Sequence, residues 1–134
     1  HDAQKSAAEQ LGATLDVQGE FDFVIECAGN AQALVQAVDL CRPRGQLLLL
    51  ATYWHGVQLP AFEVSMKNLT IVASCMYSQS SLSRDVDVAA QLMGRYPNIA
   101  KALITHRIPL EAAVEAFSVA ADRKAGAIKV VLEP

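Results

Sequence analysis

Residues 21–30 read FDFVIECAGN, and this stretch decides the fold. Phe21 to Cys27 is a short apolar run rich in Phe, Val and Ile, the composition of a strand buried on both faces. Gly29-Asn30 breaks the run, and Asn30 is a favoured helix N-cap type. Leu34, Ala37, Val38 and Cys41 then recur at helical spacing. Arg42-Pro43-Arg44-Gly45 stops that helix, and Gln46 to Ala51 (QLLLLA) reads as a second buried strand. Leu69 to Cys75 (LTIVASC) reads as a third, reached through a loop carrying Pro60 and a short helix over Phe62 to Met66. Buried strands joined in this way lie parallel, with right-handed crossovers. Ligands of such sheets sit beyond the carboxyl ends of the strands. Three tips are predicted to converge there: Glu26-Cys27-Ala28-Gly29, Ala51-Thr52-Tyr53 and Ser74-Cys75-Met76. This placement says where a ligand sits and not what it is.

Working outward, residues 3–11 read as a helix closed by Gly12, Ala13 to Val17 as a short strand, and Gly19 as a turn. Beyond the third strand, Ser83 is placed to cap a helix that carries Asp85 and Asp87 in its first turn and runs to about Tyr96. Leu103 to Ile108 is a strand candidate. Leu110, Ala113, Val114 and Phe117 repeat at i, i+3, i+4 and i+7, which predicts a helix over 110–122. A turn at Lys124 to Gly126 and a last strand at Ala127 to Leu132 complete an α/β chain.

Composition narrows the classes. The chain has 134 residues, 52% hydrophobic and 19% charged, which suits one packed domain and not a disordered segment. Its net charge is -3 and its basic residues are scattered, so a nucleic-acid surface is not expected. The longest apolar run, Leu47 to Ala51, is far short of a membrane span, and no signal peptide is expected. Cys27, Cys41 and Cys75 form neither a disulfide framework nor a metal knuckle; they read as reduced, largely buried thiols of a cytoplasmic protein. The first residue is His, which points to a start other than the native one.

Six segments occur in order: FDFVIECAGN, an alternating helix, CRPRGQLLLLATY, KNLTIVASCMYS, LITHRIPLEAAVEAF and GAIKVVLEP. Together they resemble the C-terminal portion of zinc-type medium-chain dehydrogenases, closest to the sorbitol and threonine dehydrogenase group. The resemblance runs from Leu11 to Pro134. It implies the C-terminal half of a Rossmann-type doubly wound parallel sheet, with residues 1–76 as the second half of a dinucleotide-binding domain. Residues 77–134 would be a helix-strand-helix-strand segment that returns towards a catalytic domain. By the same resemblance Cys27, Ala28 and Gly29 border the adenosine ribose through backbone, and Asn30 lies near the adenine. Leu50, Ala51 and Thr52 line the nicotinamide ribose; the family usually has Gly where this chain has Ala51. Backbone groups of Ser74 and Met76 hold the carboxamide, Cys75 faces the substrate side of the ring, and Lys129 reaches the pyrophosphate. The coenzyme implied is NAD or NADP, with NAD preferred, and the substrate a small alcohol.

Each assignment has a plainer counterpart. Glu26 either faces ligand or bonds neighbouring backbone. Cys75 suits inert packing, Lys129 a solvated strand end, His106 an ordinary strand position, and Trp54-His55 an exposed loop. The GxGxxG fingerprint and the acidic ribose-binding residue are absent from the sequence, and no Cys/His set supplies the ligands a catalytic zinc requires. The resemblance therefore implies no catalytic residue and no metal ligand in this chain, a zinc held elsewhere in the full-length protein, and no activity of the chain alone. Without the first two strands of the usual order, Ala13 to Val17 loses its neighbour and Phe21 to Cys27 shows an open edge. Residues 1–20 are then expected to be displaced, exchanged between copies or supported by further chain. The edge strand 69–75 is the expected contact in a homo-oligomer. Two alternatives stand beside this reading: an S-adenosylmethionine-dependent methyltransferase core, and a non-catalytic nucleotide-binding or dimerisation module.

Overall fold

A computed structural model of the chain describes residues 1–75, 79–80 and 83–134. In chain order the elements are α1 (Asp2–Gln10), β1 (Phe21–Glu26), α2 (Ala31–Leu40), β2 (Cys41–Leu49), α3 (Ala61–Met66) and β3 (Thr70–Ala73). They continue with the two-residue strands β4 (Gln79–Ser80) and β5 (Ser83–Arg84), then α4 (Asp85–Arg95), α5 (Pro97–Leu103) and β6 (Ile104–Pro109). A single 3-10 turn, Leu110–Ala112, leads into α6 (Ala113–Ala121), and β7 (Lys129–Glu133) ends the chain. Two compact units result: Gln18–Ser80, and a second formed by His1–Val17 with Ser81–Pro134.

The first unit is a parallel sheet of order β1-β2-β3. Its fold follows from the apolar spacing. Leu34, Ala37 and Val38 share one face of α2 and are buried with Cys41 and Leu47, while Val24, Leu49, Val64 and Ile71 pack against them. Only this face of the sheet is well covered. Phe23, Ile25 and Val72 are about half exposed, so the expected burial on both faces does not hold. A parallel sheet needs cover on each side, and α2 lies on one. β1 is the expected edge strand, and β3 forms the other edge.

Arg42 to Gly45 belong to β2 rather than ending the helix in a separate turn: pairing with β1 jumps from Phe21↔Cys41 to Phe23↔Gln46, and the intervening residues bulge out of register. Gly45 permits the bulge, because a Cβ there would lie 2.9 Å from the Arg42 carbonyl oxygen and 3.2 Å from that of Phe21. Lys67, just past α3, pins the same corner. Its ammonium donates to the carbonyls of Asp39 and Cys41, both at 2.7 Å, to that of Val38 at 3.3 Å, and pairs with Glu20 at 2.9 Å. A cation at the C-terminus of α2 satisfies orphan carbonyls and complements the helix dipole.

In the second unit β6 and β7 pair in parallel. Pro97 sits in the first turn of α5, where its missing N–H costs nothing, so the chain resumes a helix where the sequence suggested only a stop. Ser83 lies in β5, and the N-cap position of α4 falls on Arg84, whose side chain pairs with Asp87 at 2.8 Å. The stripe Leu110, Val114 and Phe117 points to solvent, with Val114 84% and Phe117 73% exposed; α6 contacts its own unit through Ala116. α1 packs against α5 with Ala7 buried. The first seventeen residues thus group with residues 81–134 in the second unit. Ala13 to Val17 form no strand and are exposed, since a strand requires a ladder partner and none of the described strands pairs there.

Candidate functional site

The register sets the site. Glu26, Leu49 and Ala73 stand side by side across β1, β2 and β3, so the three strands end at one level. Beyond them the chain is held by short backbone bonds. Leu50 and Ala51 donate to the Glu26 carbonyl at 2.9 and 3.2 Å, and Ser74 donates to that of Leu49 at 3.0 Å. Cys27 to Asn30, Leu50 to Thr52 and Ser74-Cys75 therefore lie along one edge, as the sequence predicts. Met76 lies outside the described residues. Lys129 belongs to the other unit, exposed at the start of β7.

Glu26 organises the edge. It is 3% exposed, and its Oε1 accepts from the amides of Ala28 at 2.7 Å and Gly29 at 2.9 Å. Its Oε2 accepts from the Tyr53 hydroxyl. Of the two sequence readings of Glu26, bonding to neighbouring backbone is the one the geometry gives. Burial pushes the carboxyl pKa up, but the Tyr53 bond and the two amide bonds outweigh it and hold the group below its ordinary value. Burial and the adjacent carboxylate push the Tyr53 hydroxyl up to about 12. Gly29, at φ +70°, leaves no room for a side chain: a Cβ would lie 2.9 Å from the Thr52 carbonyl oxygen and 3.2 Å from the Ala51 Cβ. The β1 and β2 tips are in direct contact there, and the methyl of Ala51 occupies space at the junction. Asn30 is the expected N-cap, its Oδ1 accepting from the Ala33 amide at 2.9 Å.

One backbone group of Ser74, its amide, is engaged by the Leu49 carbonyl. Cys27 and Cys75 are exposed and Cys41 is buried, which corrects the reading of three buried thiols: strands end at the first two, while the third sits under α2. Burial pushes the Cys41 thiol pKa up, keeping it protonated and unreactive. His106 is an ordinary half-buried strand residue beside Thr105, and Trp54 is exposed on its loop. Among the described residues no group of three or more His, Cys, Asp or Glu is placed to hold a metal ion. These side chains do not fit a catalytic zinc, which takes three protein ligands and an open position. The sequence reading placed Tyr53 at a strand tip but not its bond to Glu26, and it missed the role of Lys67, because each acts on groups remote in sequence.

A family described as zinc-binding dehydrogenase matches residues 2–92, more than half of the chain. An L-arabinitol 4-dehydrogenase of Aureobasidium melanogenum is 28% identical over 111 residues, covering 83% of this chain and 29% of its own length. The crystal structure of 2R,3R-butanediol dehydrogenase from Bacillus subtilis superposes with a TM-score of 0.78 at 21% identity, over 100% of this chain and 42% of that one. The crystal structure of S. aureus TarJ in complex with NADPH gives 0.67 at 25% identity, over 92% of this chain and 39% of that one. The chain thus spans less than half the length of these proteins, and the structural likeness shows a Rossmann-like α/β fold.

Proposed function

This chain belongs to the zinc-binding dehydrogenase family, and from that premise we propose that it carries the nicotinamide half of the coenzyme site of an NAD(P)-dependent alcohol or polyol dehydrogenase. The observation that carries the proposal is the level ending of three parallel strands, with the β1 turn seated on the β2 tip. Cys27 to Asn30 would meet the adenosine side, Leu50 to Thr52 the nicotinamide ribose, and Ser74 to Met76 the ring. Lys129 would supply a point charge to the pyrophosphate in the assembled protein. When bound, the coenzyme supplies hydride transfer; the chain's contribution is to bind and orient it. NAD is the preferred coenzyme, on resemblance; the NADPH bound by the TarJ relative keeps NADP as the direct competitor.

The remaining roles belong to the rest of a full-length enzyme. The relatives' greater length supports this, as does the outward stripe of Leu110, Val114 and Phe117, which suits packing against a catalytic domain. We assign no alcohol turnover to the chain alone, since among the described residues no side chains are grouped to hold the zinc that would polarise an alcohol. The edge position of β3 supports a homo-oligomer formed through strand 69–75. Membership of this family leaves the methyltransferase alternative without support. The test is a titration of the chain with NADH, NADPH and S-adenosylmethionine, followed by amide shifts in nuclear magnetic resonance spectra. Saturable shifts at residues 27–30, 50–52 and 74–75 with a nicotinamide coenzyme, and none with S-adenosylmethionine, are expected. Absence of shifts with both NADH and NADPH would sink the reading.

A further inference from the structure

We propose that Glu26 is a positioning residue that fills the β1–α2 turn with an internal anion and so dedicates the tip of β1 to a neutral, hydroxyl-bearing part of the coenzyme and not to phosphate. The inference rests on the coenzyme reading above and deepens it. The start of a helix after a parallel strand is ordinarily an anion site, because its free amides point at the ligand. Here the amides of the turn that precedes the helix are taken: Oε1 of Glu26 holds those of Ala28 and Gly29, and Oδ1 of Asn30 holds that of Ala33 in the first helical turn. A phosphate would have to displace a carboxylate that is 3% exposed and would meet its charge at close range. A ribose hydroxyl meets no such conflict, since it can donate to backbone carbonyls.

The second oxygen gives the device its reach. Tyr53 donates to Oε2, so the loop after β2 hangs from the same carboxylate that shapes the loop after β1. The contact at Gly29 closes the same junction, where only a glycine leaves the Thr52 carbonyl its place. One buried acid thus fixes the relative placement of two backbone segments that flank a bound coenzyme. A buried acid serving structure alone would fix the turn but leave coenzyme affinity unchanged once the fold is intact.

The experiment compares the wild-type chain with E26Q and Y53F, using NADH and inorganic phosphate as probes. Isothermal titration gives Kd, amide hydrogen exchange reports on Ala28 and Gly29, and thermal unfolding checks the fold. For E26Q, NADH Kd is expected to rise about tenfold, with exchange at Ala28 and Gly29 faster and exchange at Leu47 and Leu48 unchanged. Y53F should weaken NADH about threefold, and it carries the test if E26Q does not fold. Phosphate is expected not to bind at the turn of the wild-type chain. NADH affinities within twofold of wild type in every folded variant, or phosphate shifting the Ala28 and Gly29 amides of the wild type, would overturn the inference while leaving the coenzyme reading intact. A wild-type chain that binds no nicotinamide coenzyme removes that reading and this one together.

Discussion

The hydroxyl of Tyr53 donates to Oε2 of Glu26 across 27 positions of sequence, and this bond joins the two loops that edge the candidate site. The pair titrates at opposite ends of the pH scale. Its effects on stability therefore have opposite signs and can be measured separately.

On the acid side, the folded-state pKa of Glu26 lies below its ordinary 4.5. A lowered carboxyl contributes stability that is present above the unfolded value and is lost as pH falls through the folded one. Urea midpoints are therefore expected to hold from pH 7 to 5 and to decline below 4.5. In E26Q this acid-side decline should be shallower; an identical decline in both proteins would exclude Glu26 as its source.

On the alkaline side, Tyr53 is raised from 10 to about 12. A raised group stabilises fully below its unfolded value, and the contribution disappears as pH rises through the folded one. Stability should fall between pH 10 and 12, and Y53F should lack that part of the fall. Tyrosinate absorbance gives the same answer directly, because Y53F removes a component with its midpoint near pH 12.

Lys67 predicts an asymmetry. Its side chain is 21% exposed and satisfies three α2-end carbonyls, while its partner Glu20 is 46% exposed. Lys67→Met should cost about 1–2 kcal/mol by leaving those carbonyls without their donor. Glu20→Gln should cost less than about 0.5 kcal/mol, as exposed ion pairs do. Chemical denaturation of both variants decides it, and equal losses would mean that the ion pair, and not the cap, matters.

Gly29→Ala would place a methyl 2.9 Å from a carbonyl oxygen at a backbone φ of +70°. Strain and displacement together should cost about 2–3 kcal/mol. NADH affinity should fall as the β1 and β2 tips separate. A stable variant with wild-type affinity would show that the contact at Thr52 yields freely.

Burial separates two apolar substitutions that the sequence alone ranks alike. Leu47 is fully buried, and Leu47→Ala should lose about 3 kcal/mol or more. Val114 is 84% exposed, and Val114→Ser should change stability by less than about 0.5 kcal/mol while reducing self-association at high concentration. Melting and light-scattering measurements on the two variants test the contrast.

The strands, the α2 face and the converging tips were readable because each is written in a local period. Val24, Leu34, Ala37, Val38, Cys41 and Leu47 announce their side of the sheet by spacing alone, and they are the residues that build the first unit's core. The same logic predicted a helix from the spacing of Leu110, Ala113, Val114 and Phe117, but spacing does not say whether the surface opposite is present, and Leu110, Val114 and Phe117 are exposed. Ala13 to Val17 failed as a strand for the related reason that a ladder needs a neighbour, whatever the composition of the segment.

Taken by itself, the sequence determined the α/β class, the parallel order of β1, β2 and β3, and the edge at which Cys27 to Asn30, Leu50 to Thr52 and Ser74-Cys75 meet. Only the tertiary structure decided that Glu26 turns inward to the Ala28 and Gly29 amides and to Tyr53, that the Ser74 amide is engaged by the Leu49 carbonyl, and that Lys67 caps α2. Side-chain periodicity encodes which way a residue points along its own element. Which group waits there is set by register and loop path, and those exist only once the strands have paired.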